Sequence, residues 1–325
     1  METRRLGRTG RDVGVVGLGA WQLGADWGAV DESDALGVLQ AAIEGGVTFI
    51  DTADVYGDGR SERLVGQVLK SHDGLTVATK MGRRVEQVPE NYTLDNFRAW
   101  NDRSRQNLGV DTIDLVQLHC PPTPVYSNDE VFDALDSMVE EGRIAAYGVS
   151  VETCAEALTA IARPNVASVQ IILNAFRLKP LDEVLPAAQA AGVGIIARVP
   201  LASGLLSGKY DEHTTFSADD HRTYNRHGEA FDVGETFSGV DFATGLEAVR
   251  RLMPWLPAGA TMAQFALRWI LDQPGVSVVI PGARNPEQVA GNISAATLAP
   301  LTDDQLTAVR ATYDELIRPQ LHDRW

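Results

Sequence analysis

The sequence predicts an α/β protein: a single (β/α)8 TIM barrel over residues 1–325, with an N-terminal β-hairpin and an extra C-terminal helix. Eight short apolar runs rich in β-branched residues recur along the chain, separated by segments with helical periodicity. The runs are almost continuously apolar, as expected for parallel strands that are covered on both faces. Eight strand–helix units favour a closed barrel over an open sheet.

The elements follow in order. The opening segment RRLGRTGRDVGVVGLG predicts a hairpin with its turn near residues 8–10. The eight strands are predicted at residues 15–19, 47–53, 75–80, 113–119, 144–150, 166–173, 194–200 and 276–282. Helical periodicity between strands is clear in residues 33–44 and 128–141. The segment LTDDQLTAVRATYDELI predicts the extra C-terminal helix, with Thr302 or Asp303 as its cap.

One connection is too long for an ordinary loop. Residues 210–241 are polar and follow the seventh predicted strand, on the side where a barrel carries its active site. Long connections of this kind are functional lids or disordered segments. We expect this loop, together with the tail that ends in Trp325, to set the shape of a substrate pocket.

The main competing fold is a dinucleotide-binding open sheet, whose fingerprint is GxGxxG between a strand and a helix. The nearest candidate, residues 17–24, has different spacing and leads into a loop containing Trp, Gly and Asp. The sequence therefore favours the barrel.

Composition excludes several classes of protein. The formal net charge is −16, which disfavours binding to nucleic acid. The longest apolar stretches are strand-sized, so we expect no membrane span, and METRRLGRTG lacks the apolar core of a signal peptide. Two cysteines, Cys120 and Cys154, do not make a disulfide framework, so we expect a cytoplasmic protein. No pattern in the sequence predicts an oligomeric state.

Four polar residues predict a proton-transfer centre. Asp51, Lys80 and His119 each end a strand-like run, and Tyr56 follows Asp51 by five residues. Side chains at the carboxyl ends of parallel barrel strands converge on one face, so we expect these four in one cleft. Any one of them alone would be ordinary as a cap, a packing residue or a surface group. Their common register favours a functional site.

The chemistry of these residue types suits carbonyl reduction. An alkoxide formed at a carbonyl needs a proton, and Tyr56 can supply one if a nearby Lys80 lowers the pKa of its phenol. Asp51 would compensate the charge of a buried Lys80. His119 can hydrogen-bond the carbonyl oxygen and polarise it.

At this point the chain resembles the aldo-keto reductase superfamily over nearly its whole length. The resemblance is carried by RRLGRTG, GLGAWQLG, FIDTADVYG, TKMG, IDLVQLH, YGVS, VPLASGLLSGK and VIPGARNPEQVAGN, in that order. It implies a barrel that reduces small aldehydes or ketones, or oxidises the alcohols, with NADPH (NADP+) and no metal. It also implies that Tyr56, Asp51, Lys80 and His119 form the catalytic tetrad.

The resemblance also implies a cofactor site at the last two strands. Residues 199–209 would lie along the pyrophosphate, with contacts from Leu201, Ser203, Gly204, Leu205 and Lys209. Residues 280–292 precede and begin a helix, and a helix N-terminus suits an anion. There Arg284 is placed to bind a 2′-phosphate, which favours NADPH over NADH. Gly282 lies beside it, and the resemblance gives Gln288 and Asn292 contacts with the adenine.

On the nicotinamide side, Ser150 and Gln170 match the family's contacts with the carboxamide. The sequence departs from the family at Leu173, which we align with a position that usually carries a ring-stacking aromatic residue. Phe176 is the nearest aromatic residue, but the alternation of strand side chains predicts that it faces the other way.

Trp21 is the predicted substrate-binding residue, with Gln22 and Trp27 as weaker candidates. Phe97 and Trp100 fit a pocket rim or a helix core equally well. Since loops decide specificity on this fold, the substrate stays open among aldehydes, ketones, sugar-like carbonyls and polyols.

Two other functions are compatible with these residues. Some members of the family are regulatory subunits that bind NADPH, sense redox state and associate with a membrane channel. An unrelated lyase or isomerase barrel would need metal ligands or a Schiff-base lysine, for which Lys80 is the one candidate. A nucleophilic pair of Cys120 with His119 is disfavoured, because adjacent strand residues point to opposite faces.

Overall fold

The computed structural model describes residues 1–24 and 30–325. An antiparallel hairpin of β1 (Thr3–Arg5) and β2 (Asp12–Gly14) opens the chain, as predicted. Between its strands Leu6 is fully buried, in a cluster with Phe49, Leu115 and Ile196 from three barrel strands. The hairpin thus closes one end of the barrel with apolar side chains.

Eight parallel strands form the sheet in chain order. They are β3 (Leu18–Gly19), β4 (Phe49–Asp51), β5 (Thr76–Met81), β6 (Leu115–His119), β7 (Tyr147–Ser150), β8 (Val166–Ile172), β9 (Gly194–Arg198) and β10 (Val276–Val279). The first and last strands also meet: the N–H of Val279 donates to the carbonyl of Val15 at 3.0 Å, and that of Gly17 to Val279 at 2.8 Å. These bonds close the barrel, so the predicted (β/α)8 fold is confirmed.

Helices cover the outside of this barrel. Those in the described residues are α1 (Glu32–Glu44), α2 (Arg60–Leu69), α3 (Leu94–Leu108), α4 (Asp129–Glu140), α5 (Cys154–Ile161), α6 (Val184–Ala191), α7 (His221–Tyr224), α8 (Phe242–Leu252), α9 (Met262–Leu271), α10 (Pro286–Ser294), α11 (Asp303–Thr312) and α12 (Arg318–Leu321). The predicted extra C-terminal helix is α11, where Thr302 and Gln305 form a reciprocal capping box. Across the described residues, none of the helices has the length and apolar character needed to cross a membrane.

The long connection after β9 is packed against the barrel. It contains α7 and two short 3-10 turns at Val233–Glu235 and Phe237–Gly239. Asn225 and Ser238 within it are fully buried although both are polar. Their side chains are hydrogen-bonded to Thr236 and Asn174, respectively, and such internal bonds offset the cost of burying them.

Candidate functional site

A cleft of about 600 Å³ opens at the carboxyl ends of the barrel strands. Its walls come from the ends of β3 to β10 and from the connections that follow them. The predicted residues that line it are Trp21, Asp51, Tyr56, Lys80, His119, Ser150, Gln170, Leu201, Ser203, Gly204, Lys209, Gly282, Arg284, Gln288 and Asn292. Parallel strands of one polarity bring these distant segments together.

Three of the four predicted catalytic residues form a continuous contact chain. The ammonium of Lys80 forms an ion pair with the Asp51 carboxylate and donates to the Thr52 carbonyl at 2.9 Å. Its Nζ lies 3.4 Å from the Tyr56 hydroxyl. Lys80 and Asp51 are buried, whereas Tyr56 is partly open to the cleft. The only exposed end of this chain is therefore the phenol.

The carboxylate of Asp51 is held on both sides. One oxygen accepts from Lys80, and the other accepts from the Gln170 amide at 2.7 Å and the Gln117 amide at 3.0 Å. The Gln170 amide nitrogen also lies 3.2 Å from the carbonyl oxygen of Gln117. Both amide groups are thus fixed by the charge that they face.

Burial and neighbouring charges act in opposite directions on the pKa values of Tyr56 and Lys80. Burial raises the pKa of Tyr56 above its ordinary value, and the nearby Lys80 lowers it, as expected, without cancelling the effect of burial. Burial also pushes the pKa of Lys80 down, but the fields of Asp51 and Tyr56 outweigh it, so that pKa is raised. The resting site is therefore a neutral phenol beside an ammonium.

His119 is a neutral imidazole. Burial, followed by the charges of Arg83, Lys80 and Arg198, holds its pKa well below the ordinary value. Its ring meets that of Tyr56 edge-on, with centroids 5.9 Å apart. Its Nδ1 is buried and has no hydrogen-bond partner among the described residues. A neutral histidine can donate one hydrogen bond into the cleft without competing for the proton of Tyr56.

An ion network that the sequence did not point to lies beside the tetrad. Arg198 contacts Glu152 at 2.8 Å and Glu235 at 3.4 Å, and Arg83 lies 3.5 Å from the same Glu235. Cys120, Arg198 and Glu235 line the cleft. Cys120, Glu152 and Glu235 are close enough to be considered as metal ligands. Two guanidinium groups already compensate these carboxylates, however, and burial raises the pKa of the Cys120 thiol to about 12, which disfavours a thiolate ligand.

Two backbone segments shape the other end of the cleft. After β9, Ala202, Ser203 and Gly204 adopt positive φ angles of 47°, 53° and 97°, which turn the chain sharply along the cleft. After β10, helix α10 begins at Pro286, with the Asn285 side chain accepting from the backbone N–H of Gln288. The N-terminus of α10 carries partial positive charge, so this end of the cleft suits an anionic group.

Polar side chains hold the segment before α10 in place. The Gln288 side chain accepts from the backbone N–H of Arg284 at 2.8 Å. The Asn292 side chain donates to the carbonyl of Gly282 at 3.2 Å. Gln288 and Asn292 thus fix the backbone at the cleft as well as lining it.

Some predicted residues lie elsewhere. Leu205 is buried in the core, where its side chain would meet a Cβ at Gly245, and it does not line the cleft. Leu173, which follows the last residue of β8, is also fully buried and does not line the cleft. Phe97 and Trp100 pack in the helix core, with ring centroids 5.9 Å apart.

On the substrate side, Trp21 stacks on Tyr56 at 5.9 Å between ring centroids. Gln22 also lines the cleft, and Trp27 lies outside the described residues. Arg198 lines the cleft beside Ser150 and Gln170, where the sequence alone led us to Leu173. An aromatic wall therefore faces the phenol, and a cation lies on the side of the two predicted carboxamide contacts.

Residues 15–314 match the aldo/keto reductase family. The chain belongs to this family. It is 31% identical to the aldo-keto reductase YhdN of Bacillus subtilis (strain 168), covering 89% of this chain and 87% of that one. It is 29% identical to a probable voltage-gated potassium channel subunit beta of Oryza sativa subsp. japonica, covering 93% of both. The solved glycerol dehydrogenase AKR11B4 of Gluconobacter oxydans is similar with a TM-score of 0.79 at 30% identity, covering 98% of this chain and 96% of that one. Membership in the family supports an oxidoreductase activity.

Proposed function

We propose that this aldo/keto reductase reduces a small aldehyde or ketone to the alcohol, or runs the reverse reaction, with NADPH as hydride source and Tyr56 as proton donor. The observation that supports this proposal most strongly is the contact chain from Asp51 through Lys80 to the Tyr56 hydroxyl at 3.4 Å, which ends in the cleft. A neutral His119 beside it provides a second polar group for the same substrate oxygen.

Each residue has one role in this mechanism. A bound NADPH would supply a hydride to the carbonyl carbon. The substrate oxygen would then need a proton, which the Tyr56 hydroxyl is placed to give. The ammonium of Lys80 stabilises the phenolate that is left, and Asp51 holds Lys80 in place. His119 donates a hydrogen bond to the substrate oxygen as negative charge develops. An oriented donor of this kind contributes about 3 kcal/mol to transition-state stability.

A raised pKa at Tyr56 is consistent with this direction of proton transfer. A phenol with a raised pKa stays protonated across the neutral range, and an alkoxide is a much stronger base than a phenolate. The proton therefore moves downhill in the reduction direction. In the reverse direction the phenolate of Tyr56 would accept the proton of the alcohol, and the Lys80 ammonium would increase the fraction of Tyr56 in that form.

The residues present fit a phosphorylated dinucleotide. Gly204 and Gly282 line the cleft, and a Cβ at either position would collide with the side chain of Tyr210 or Gln22, respectively, which also line it. The N-terminus of α10 and the exposed Arg284 add positive charge at one end. We propose that Arg284 binds the 2′-phosphate, that Ser150 and Gln170 bind the carboxamide, and that the segment from Leu201 to Lys209 follows the pyrophosphate.

A regulatory role is the second candidate. The rice relative, a probable channel subunit beta, matches 93% of this chain at 29% identity, so the same barrel serves in proteins of that description. A regulatory subunit would bind the cofactor tightly and turn over slowly. The retained contact chain at Lys80 and Tyr56 supports the enzyme more strongly.

The experiment that separates these functions measures binding and turnover independently. NADPH binding is followed by quenching of tryptophan fluorescence, and turnover by the loss of reduced-nicotinamide absorbance with a reactive aromatic aldehyde. Binding with fast turnover supports the reductase. Binding without turnover for a panel of aldehydes, ketones and sugars would favour the regulatory role, and no binding would refute the cofactor site.

A further inference from the structure

Trp325, the last residue of the sequence, lies under the loop of residues 232–239. Trp325 is 6% exposed, and the Arg177 guanidinium stacks on its ring with Cζ 3.4 Å from the ring centroid. Its indole N–H donates to the Asp232 carboxylate at 3.2 Å. This side chain is therefore enclosed from two sides, by a cation and by the loop.

Glycines let the loop backbone rest directly on this ring. A Cβ built on Gly239, where φ is +78°, would come within 2.4 Å of the indole, and one on Gly234 within 3.1 Å. Phe237 and Ser238 have positive φ angles of 52° and 58°. Non-glycine residues keep such a backbone only when their surroundings impose it. The loop conformation therefore depends on outside contacts, and the Trp325 ring provides two of them, at Gly234 and Gly239.

The other face of the same loop supports the cleft. The Ser203 hydroxyl donates to the carbonyl of Glu235 at 2.9 Å and accepts from the N–H of Phe237 at 3.0 Å. Ser203 lines the cleft in the segment proposed to follow the pyrophosphate. The carboxylate of Glu235 lines the cleft too, and it faces Arg198 at 3.4 Å. The loop thus contributes Glu235 to the cleft itself and holds Ser203 by two hydrogen bonds.

The buried guanidinium of Arg177 is a second group that the Trp325 ring stabilises. Both terminal nitrogens of this guanidinium are buried without a hydrogen-bond partner among the described residues. Burial accordingly lowers its pKa to about 9, while Asp232 acts in the opposite direction. The face of Trp325 replaces part of the lost hydration of this cation. Removal of the ring would admit water to Arg177 and open the space under the loop.

We infer that Trp325 is a positioning residue for the cleft: it clamps the 232–239 loop, keeps Ser203 and Glu235 in place, and so slows the release of the bound dinucleotide. The effect on release rests on the proposed NADPH site, whereas the clamp itself does not. The two parts can therefore be tested separately.

The first test is hydrogen exchange on the cofactor-free protein. In Trp325→Ala we expect amides of the 232–239 loop to exchange at least ~10-fold faster, because the loop loses its support. Trp325→Phe keeps a stacking ring, so its loop amides should exchange at a rate between those of the wild type and Trp325→Ala. This variant remains informative if the alanine variant folds poorly. Trp255→Ala is the matched control, since Trp255 is 42% exposed and far from the loop in sequence. Unchanged exchange of the loop in Trp325→Ala would overturn the clamp.

The second test measures NADPH dissociation by stopped-flow fluorescence beside steady-state kinetics. We expect faster dissociation and a higher KM for NADPH, each roughly 10-fold, with kcat unchanged or higher if release limits turnover. A fall in kcat in proportion to the folded fraction, at unchanged KM, would indicate a purely structural role. Faster loop exchange with unchanged dissociation would overturn the link to the cleft. If the wild type binds no NADPH, the proposed function fails and the exchange result still decides the clamp.

Discussion

Gln117 donates its side-chain amide to the Asp51 oxygen that faces away from Lys80, at 3.0 Å. It comes from β6 and pairs in register with Lys80 of β5, so the barrel itself places it beside the tetrad. Because Gln170 lines the cleft and Gln117 does not, Gln117 can hold Asp51 even when Gln170 engages a ligand. Asp51 therefore keeps one fixed donor that the reaction does not disturb.

We expect Gln117→Met to lower kcat by roughly 10-fold, since loss of one hydrogen bond to a charged group amounts to about 1.5 kcal/mol. NADPH affinity should stay within about twofold, because Gln117 does not reach the cleft. Steady-state kinetics and fluorescence titration check both quantities. Gln67→Met, at an exposed glutamine, serves as the control. An unchanged kcat would show that Gln170 alone suffices to orient Asp51.

Lys80→Met should reduce kcat by two to three orders of magnitude, because the phenolate of Tyr56 loses its cation. The same change leaves a buried carboxylate unpaired, which destabilises a protein by about 3–5 kcal/mol. The double change Lys80→Met with Asp51→Asn removes both charges. We expect it to recover stability in thermal denaturation while turnover stays low. Recovery of turnover in the double variant would contradict the role of Lys80.

Arg284→Ala should weaken NADPH binding roughly 10- to 100-fold and leave NADH binding nearly unchanged, since a bidentate arginine–phosphate contact is a strong charge-assisted bond. Titration with both cofactors measures the ratio. Gln288→Ala is the useful comparison, because any contact with the adenine would affect NADH and NADPH alike. An equal loss of affinity for both cofactors in Arg284→Ala would show that the 2′-phosphate does not bind at Arg284.

Asp54 predicts an unusual pH dependence of stability. Its carboxylate oxygens are buried without a hydrogen-bond partner among the described residues. Burial, with a smaller effect from Glu62, raises its pKa from 3.8 to about 8. The folded state thus holds a proton that the unfolded state has lost, so this group makes the free energy of unfolding fall as pH rises between these two values.

Asp54→Asn replaces the protonated acid by a neutral group of the same shape. We expect equal stability of the two proteins near pH 4 and a gain for the variant above pH 8, of at least about 1 kcal/mol. Urea denaturation at several pH values measures the difference. A constant difference across that range would mean that Asp54 does not titrate in the fold.

The strands and the tetrad could be predicted because both follow from local patterns. The apolar runs predicted all eight strands. The polar residues at the ends of three of these runs are Asp51, Lys80 and His119. Strand polarity in a parallel barrel then places them in one cleft without any knowledge of distance. The glycine-rich segment after β9 and the helix start at Pro286 were recognisable for the same reason.

The other residues of the cleft were not predicted, because their positions depend on contacts between segments that are distant in the sequence. Glu235 reaches the cleft from a long connection, and Arg198 would read as a surface residue at the end of a strand. The resemblance aligns Leu173 with a residue beside the nicotinamide, but it follows the end of β8 and is fully buried away from the cleft.

The most direct test of the central claim compares wild-type protein with Tyr56→Phe in NADPH-dependent reduction of an aromatic aldehyde, with NADPH affinity measured on both. The variant keeps the ring that stacks on Trp21 and removes only the hydroxyl that faces Lys80. The proposed mechanism predicts a loss in kcat of two to three orders of magnitude with NADPH affinity preserved. Turnover by Tyr56→Phe at the wild-type rate would contradict the assignment of Tyr56 as proton donor.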